Sequence, residues 1–152
     1  RKGDFIDVGG VLGTVVDVGL RATHVLSRDG VTVIVPNANL ISSLVINYTA
    51  STRNRRIWVR VGVAYGTDLD VASRVLYELA LADPDVSRLP APEIRNEGFG
   101  DSSINLALVA WIQEASDDLI VSSRLRFAID KAFRQNAIEI PFPQRVIHTK
   151  VA

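Results

Sequence analysis

VTVIVPNANLISSLVINYT, residues 31–49, decides how the first third of the chain folds. Every residue from Val31 to Val35 is β-branched, the composition of a strand. Leu44–Tyr48 is a second strand-like run. Between them Pro36 ends the first strand, because its ring leaves no amide to extend a ladder. Asn37-Ala38-Asn39 follows, and then Leu40-Ile41 returns to apolar side chains where a short hairpin needs only a polar turn. On pattern alone this is an apolar connection tucked against its own core.

Upstream the same character continues. Phe5–Val8 alternates and stops at Gly9-Gly10; Gly13–Val18 is extended and rich in β-branched residues; Arg21–Leu26 follows. Arg28-Asp29-Gly30 is the strongest local turn signal, an Asp-Gly between two apolar runs. Five short strands within about fifty residues, with no helical period, predict a small antiparallel β-barrel of the Sm/SH3 kind. Downstream, Thr49–Arg56 (TASTRNRR) is polar, basic and aperiodic, and the domain boundary is expected there, with a barrel over 1–52 and a second domain over 53–152.

The second domain mixes α and β. Ile57, Val59, Val61 and Val63 alternate, giving a strand with one apolar face. Asp68–Asp83 carries Leu69, Ala72, Val75, Leu76 and Leu79 at helical spacing, with Thr67 or Asp68 as the cap and Pro84 as the stop. Glu93–Phe99 is a strand, Gly100-Asp101-Ser102 a turn and Ile104–Ile112 a long strand. Asp117–Asn136 is a second helix, with Val121, Leu125, Ala128, Ile129 and Ala132 as its stripe. Ser116 is its expected cap, with Asp117 and Asp118 in the first turn, where carboxylates complement the helix dipole. Arg145–His148, after Pro141-Phe142-Pro143, is expected to close the sheet. The order β-α-β-β-α-β predicts a ferredoxin-like domain, so the whole chain is α+β. Ile104–Ile112 is apolar on both faces. Its second face, with Ala107, Val109 and Trp111, is expected to meet either a second copy of the chain or the barrel domain.

Composition limits the function classes. Of 152 residues, 47% are hydrophobic, so disorder is excluded. Seventeen basic residues balance seventeen acidic ones, which argues against a protein that grips nucleic acid by charge. With no cysteine there is neither a disulfide framework nor a thiolate metal site. The longest apolar run, Leu106–Ile112, is far short of the roughly 20 residues of a membrane helix, so these residues read as soluble. The abrupt start, Arg1-Lys2-Gly3-Asp4 without a methionine, reads as a piece of something longer.

Three features look chemical. Gly9–Gly13 has the glycines of a phosphate loop, but an extended run follows where a helix N-terminus is needed, so a turn or bulge is expected. Gly100-Asp101-Ser102 resembles a nucleophile block, yet His24 and His148 are the only histidines and neither stands in an acid-plus-histidine block. No zinc or iron site follows from two isolated histidines. No cofactor is expected, and the reading is non-enzymatic. Arg53, Arg55, Arg56 and Arg60 form a basic cluster, expected to be solvated or paired with a neighbouring subunit.

Six motifs then point in one direction: GDFIDVGGVLGTVVDVGLRAT (Gly3–Thr23), DGVTVIVPNANL (Asp29–Leu40), INYT (Ile46–Thr49), VGVAYGTDLD (Val61–Asp70), FGDSSINL (Phe99–Leu106) and IEIPFPQR (Ile138–Arg145). In this order and spacing the chain resembles the cytosolic part of the MscS-like small-conductance mechanosensitive channels. The resemblance implies a homoheptameric channel of the bacterial inner membrane that opens under tension and releases ions and small solutes on hypo-osmotic shock. The part present would be the β-ring and solute-filtering cage on the cytoplasmic side; the lipid bilayer would be met through transmembrane helices missing from this sequence, and no nucleic acid is implied. Relatives often add a short C-terminal strand, which by this resemblance is expected to be absent or truncated here. By the same resemblance Pro36, Asn37, Leu40 and Ile41 would contact the pore helix or a neighbouring subunit. Asn47 and Tyr48 would seat one domain on the other. Pro141, Phe142, Pro143 and Gln144 would fix the exit from the second helix. The alternatives are a ring-forming Sm-like RNA-binding protein, a soluble scaffold and a soluble enzyme domain.

Overall fold

The structure, a computed structural model, describes residues 1–150. The chain divides into two compact units, one of Arg1–Arg55 with Gln113–Asp118 and one of Arg56–Ile112 with the residues from Leu119 onward. Each has its own core, and each follows from local sequence.

The first unit holds β1 (Phe5–Val8), β2 (Val11–Val18), β3 (Ala22–Ser27), β4 (Thr32–Pro36), a short helix α1 (Asn37–Ser42) and β5 (Val45–Asn47). Gly9 and Gly10 form the two-residue turn between β1 and β2, both at positive φ (57° and 87°), as a turn matching strand twist requires. The glycine-rich run is therefore a hairpin, with the Gly10 amide donating to the Asp7 carboxylate at 3.0 Å. Gly13 is fixed by space: a Cβ there would lie 2.3 Å from the Leu26 carbonyl oxygen on β3. One side of the sheet buries Ile6, Val8, Val15, Val25 and Val35, with Leu40 of α1 and Val45 packed against them.

Two expectations change here. The strand order is β4-β3-β2-β1-β5, so β4 and β5 are the edges of an open sheet, and no closed barrel forms among the described residues. The physical cause lies in the opening stretch: α1 occupies the connection after β4, and β5, only three residues long, pairs with β1. The connection is itself helical. Pro36 closes β4 and stands at the N-cap of α1, where its missing amide costs nothing.

The second unit holds β6 (Arg55–Val63, beginning one residue inside the first unit), α2 (Leu69–Ala82), β7 (Glu93–Phe99), β8 (Ile104–Ile112) and α3 (Asp118–Gln135). Asp68 caps α2 by accepting from the Asp70 and Val71 amides at 3.0 and 3.3 Å. The sheet order is β6-β8-β7, with β8 central. Val59, Val63, Leu76, Leu108, Ile112, Val121, Leu125 and Phe133 lie at the heart of its core. A three-residue 3-10 turn, Ala115–Asp117, leads into α3, so the helix begins one residue after its expected start.

The expected closing strand at Arg145–His148 does not form; these residues are extended without a ladder and exposed. Its absence has a local cause. Helix α3 ends with Ala137 in the left-handed region (φ 53°) and the Ile138 amide donating to the Phe133 carbonyl at 2.9 Å. Ile138 and Phe133 are both buried, completing a Schellman stop. The Glu139 carbonyl then accepts from Ala64 at the end of β6 (3.0 Å), and Pro141 and Pro143 supply no amides to continue. Mixed α+β architecture stands; the second sheet has three strands among the described residues, so the expected β-α-β-β-α-β ferredoxin-like order is not completed there.

Candidate functional site

The residues singled out in the opening stretch cluster at one end of the first sheet. Asn37 makes three hydrogen bonds there. Its backbone amide donates to the Arg21 carbonyl (2.8 Å), its side-chain Nδ2 to the Gly19 carbonyl (2.9 Å), and its Oδ1 accepts from the Thr23 hydroxyl (2.8 Å). Thr23 is buried. One amide side chain therefore pins the turn between β2 and β3. Leu20 projects fully exposed from that turn, and Ile41 is also exposed. Pro36 is exposed, while Leu40 turns inward to line a cavity of about 270 Å³ with Ile6, Val15, Val18, Thr23 and Val45.

Asn47 and Tyr48 work within the same unit. Asn47 Nδ2 donates to Asp4 at 2.9 Å, and its Oδ1 accepts the Thr49 amide at 3.0 Å. The Thr49 hydroxyl in turn accepts the Phe5 amide at 2.9 Å. Asp4 and Thr49 are buried, so this polar knot is fully engaged inside the fold. Tyr48 packs on Phe5, centroids 5.8 Å apart, and carries the Arg55 guanidinium on its ring at 4.3 Å. Arg55 and Arg28 both bond Asp118, one to each carboxylate oxygen. This Arg28–Asp118–Arg55 bridge was not foreseen, because its members are far apart in the chain.

The basic cluster separates into distinct roles. Arg53 pairs with Glu114 through both carboxylate oxygens (3.0 and 2.9 Å), and Arg55 with Asp118, so these two find partners inside the chain instead of in solvent or a neighbour. Arg56 and Arg60 stand with Arg95 of β7 around the indole of Trp58, their guanidinium carbons 5.2, 5.2 and 4.9 Å from the ring centroid. The register places Arg95 opposite Ala107 of the central strand, so Arg95 and Trp58 meet across β8. That geometry explains why Ala107 is small and fully buried. Val109 is also buried within the single chain, without a second copy. The alternation in RRIWVR was the sequence signal for this face; Arg95 required the strand order.

Other sequence-marked residues take part in local contacts. Gly100–Ser103 forms the β7–β8 turn, closed by the Gly100 amide on the Ser103 carbonyl at 2.7 Å, and the Ser102 hydroxyl accepts the Gln144 amide at 2.9 Å. Gln144 Nε2 donates to the Phe142 carbonyl at 2.9 Å. Pro141 and Gln144 line a polar cleft of about 190 Å³ with Tyr65, Ser102 and Glu139, while Phe142 stays exposed. His24 lies in β3 opposite Asp17 and Ile34; His148 is in the exposed tail. Among the described residues no cluster of three or more His, Cys, Asp or Glu side chains could hold a metal ion.

Comparison with known proteins bears on the whole chain. Residues 1–50 match the family profile described as mechanosensitive ion channel, beta-domain, and residues 57–140 match mechanosensitive ion channel MscS, C-terminal. The small-conductance mechanosensitive channel of Edwardsiella ictaluri is 35% identical over 148 residues, covering 97% of this chain and 51% of that protein. The mechanosensitive channel MscK of Escherichia coli is 34% identical over 148 residues, 97% of this chain and 13% of that protein. The crystal structure of Helicobacter pylori MscS in its closed state superposes with a TM-score of 0.86 at 29% identity, covering 100% of this chain and 60% of that one. The chain thus spans about half of the first relative, and it belongs to the MscS mechanosensitive ion channel family.

Proposed function

We propose that this chain is the cytoplasmic-side vestibule of a tension-gated channel that releases ions and small solutes on hypo-osmotic shock. The observation that carries this reading is the consecutive match of both units to the family's beta-domain and C-terminal profiles. No helix among the described residues is long and apolar enough to cross a membrane. On this reading, tension sensing and the pore are supplied by transmembrane helices other than these units, in the bacterial inner membrane. The role of the units here is to anchor the pore helices and to filter solutes, with no catalytic step and no cofactor.

Assembly fits the same reading. The first sheet is open, with edges at β4 and β5. Exposed edges are templates for pairing with another chain. Val31 and Ile34 near one edge, and Leu44 and Ile46 near the other, are exposed apolar residues. Pairing the β4 edge of one copy with the β5 edge of the next is head-to-tail and closes into a ring when the rotation permits; a homoheptamer is the ring proposed. In that ring Pro36, Asn37 and Ile41 face a pore helix or a neighbouring copy. Residues 141–144 fix the path leaving α3. The RNA-binding and scaffold alternatives find no support in the family comparisons.

The test is survival of osmotic downshock. Bacteria stripped of their own mechanosensitive channels and expressing the full-length protein are expected to survive a dilution that lyses the parent strain. Lysis equal to the parent, with the protein present in the membrane, refutes the reading.

A further inference from the structure

Helix α3 buries one side and leaves apolar residues on the other. Val121, Leu125, Ile129 and Phe133 turn inward to the core. Leu119, Ile120 and Phe127 stand outside at 59%, 64% and 79% exposure, and Ser123 between them is exposed as well. Positions 119, 123 and 127 fall four apart, so they lie along one face of the helix. An open groove of about 520 Å³ runs along that face, lined by these four residues and Arg124. One exposed apolar residue needs no explanation, but a contiguous apolar patch marks a contact surface. A helix face that met only water would be polar.

We propose that this face binds α3 of a second copy of the chain, the two helices antiparallel across a two-fold axis at Ser123. Charge is the first ground. The helix is acidic at its start, with Asp117 and Asp118, and basic toward its end, with Lys131 and Arg134. Parallel pairing sets like charges together, whereas antiparallel pairing sets each Lys131 beside the partner's Asp117. Among the described residues neither Asp117 nor Lys131 has an ion-pair partner within its own chain. Shape is the second ground. Leu119 and Phe127 stand about 6 Å along the axis on either side of Ser123. Antiparallel pairing therefore lays each Phe127 ring over the partner's Leu119 and Ile120, in the groove, and the small Ser123 lets the helices approach. The arrangement that suits charge is the one that suits shape. Area sets the strength. Three side chains offer a few hundred Å² per copy, less than the roughly 800 Å² of a standard partner surface, so a dissociation constant on the order of 0.5 mM is expected. The contact is isologous, which separates it from head-to-tail pairing at the edges of the first sheet. It concerns the chain alone, and it and the channel reading can each fail without the other.

Sedimentation equilibrium of the 152-residue chain, from about a tenth of that dissociation constant to about ten times it, tests the contact. The expected result is a mean mass that rises from one chain toward two. Phe127→Glu is expected to raise the dissociation constant about tenfold or more, while Phe99→Glu, at a phenyl ring 73% exposed on β7, leaves it unchanged. Asp117→Lys and Lys131→Asp are each expected to weaken pairing, and an equimolar mixture of the two to recover it. Because the chain has no cysteine, Ser123→Cys places a single thiol at the axis. Under mild oxidation it is expected to give a covalent dimer faster than Ser51→Cys, at an exposed serine of the first unit. A mass that stays at one chain overturns the proposal and leaves the face to a different occupant. Self-association that Phe127→Glu does not weaken overturns it by assigning the contact to another surface. Equal cross-linking at 123 and 51, or no recovery in the charge-swapped mixture, overturns the antiparallel two-fold.

Discussion

Asn37 shows what one residue of the motif does physically. Its side chain ties Gly19 and Thr23 together, so the rim turn bearing Leu20 is held by a single amide. Asn37→Ala leaves a carbonyl and a buried hydroxyl to find new partners, which costs about 1–2 kcal/mol locally. On the proposed reading tension is sensed outside these units, so Asn37→Ala in the full-length protein is expected to alter desensitisation more than opening threshold in patch recordings. A shifted threshold with unchanged desensitisation would count against that role. The sequence marked Asn37 by its motif, but its partners lie 14 and 18 residues away and become visible only once β3 and β4 are in register. Ala137 is a residue of the opposite kind. It holds a left-handed conformation that glycine adopts without penalty. Ala137→Gly is expected to stabilise the second unit by about 0.5–1 kcal/mol, measured as a higher urea midpoint with an unchanged slope. Nothing in the sequence Gln135-Asn136-Ala137 announces this stop, since the usual glycine is absent.

At the scale of elements, α2 and α3 are joined by a charge clamp. Arg124 of α3 donates to both oxygens of Asp83 at 2.7 and 2.8 Å and to Asp85 at 2.6 Å. Burial pushes the Asp83 carboxyl upward, but the Arg124 hydrogen bonds, the Asp85 amide and the Arg124 charge outweigh it and hold the group below its ordinary value of 3.8. A carboxyl lowered by folding adds stability above pH 3.8, and that stability is lost as pH falls through the folded value. Arg124→Gln is expected to cost about 2 kcal/mol at neutral pH, less than a fully buried pair because the arginine is partly solvated. The gap between variant and parent should narrow in thermal melts below pH 3.8. A gap independent of pH would place the loss in packing. The strands and helices of this unit were legible because their periods are strong: β7 and β8 lie at the residues expected. Arg145–His148 was misread because alternation alone does not make a strand. After two prolines and a Schellman stop, that segment pairs with no strand among the described residues.

For the whole molecule, a mixed α+β architecture was legible from the change of pattern after Tyr48, but not that Gln113–Asp118 joins the first unit. Barrel closure was not, because it depends on whether β4 and β5 meet, a contact that neither strand's composition specifies. The arginine–tryptophan face was half legible: Trp58 and Arg60 showed in the alternation of β6, but Arg95 joined them only through the strand order. Family membership was legible through ordered motifs that cover both units. The proposal that these units serve a channel opened by membrane tension is tested by recording from excised membrane patches that contain the full-length protein while suction is stepped. Discrete conductance steps are expected, with an open probability that rises with suction and returns on release. Currents that ignore suction, or a membrane-inserted protein that passes none at any tension the patch survives, would contradict it.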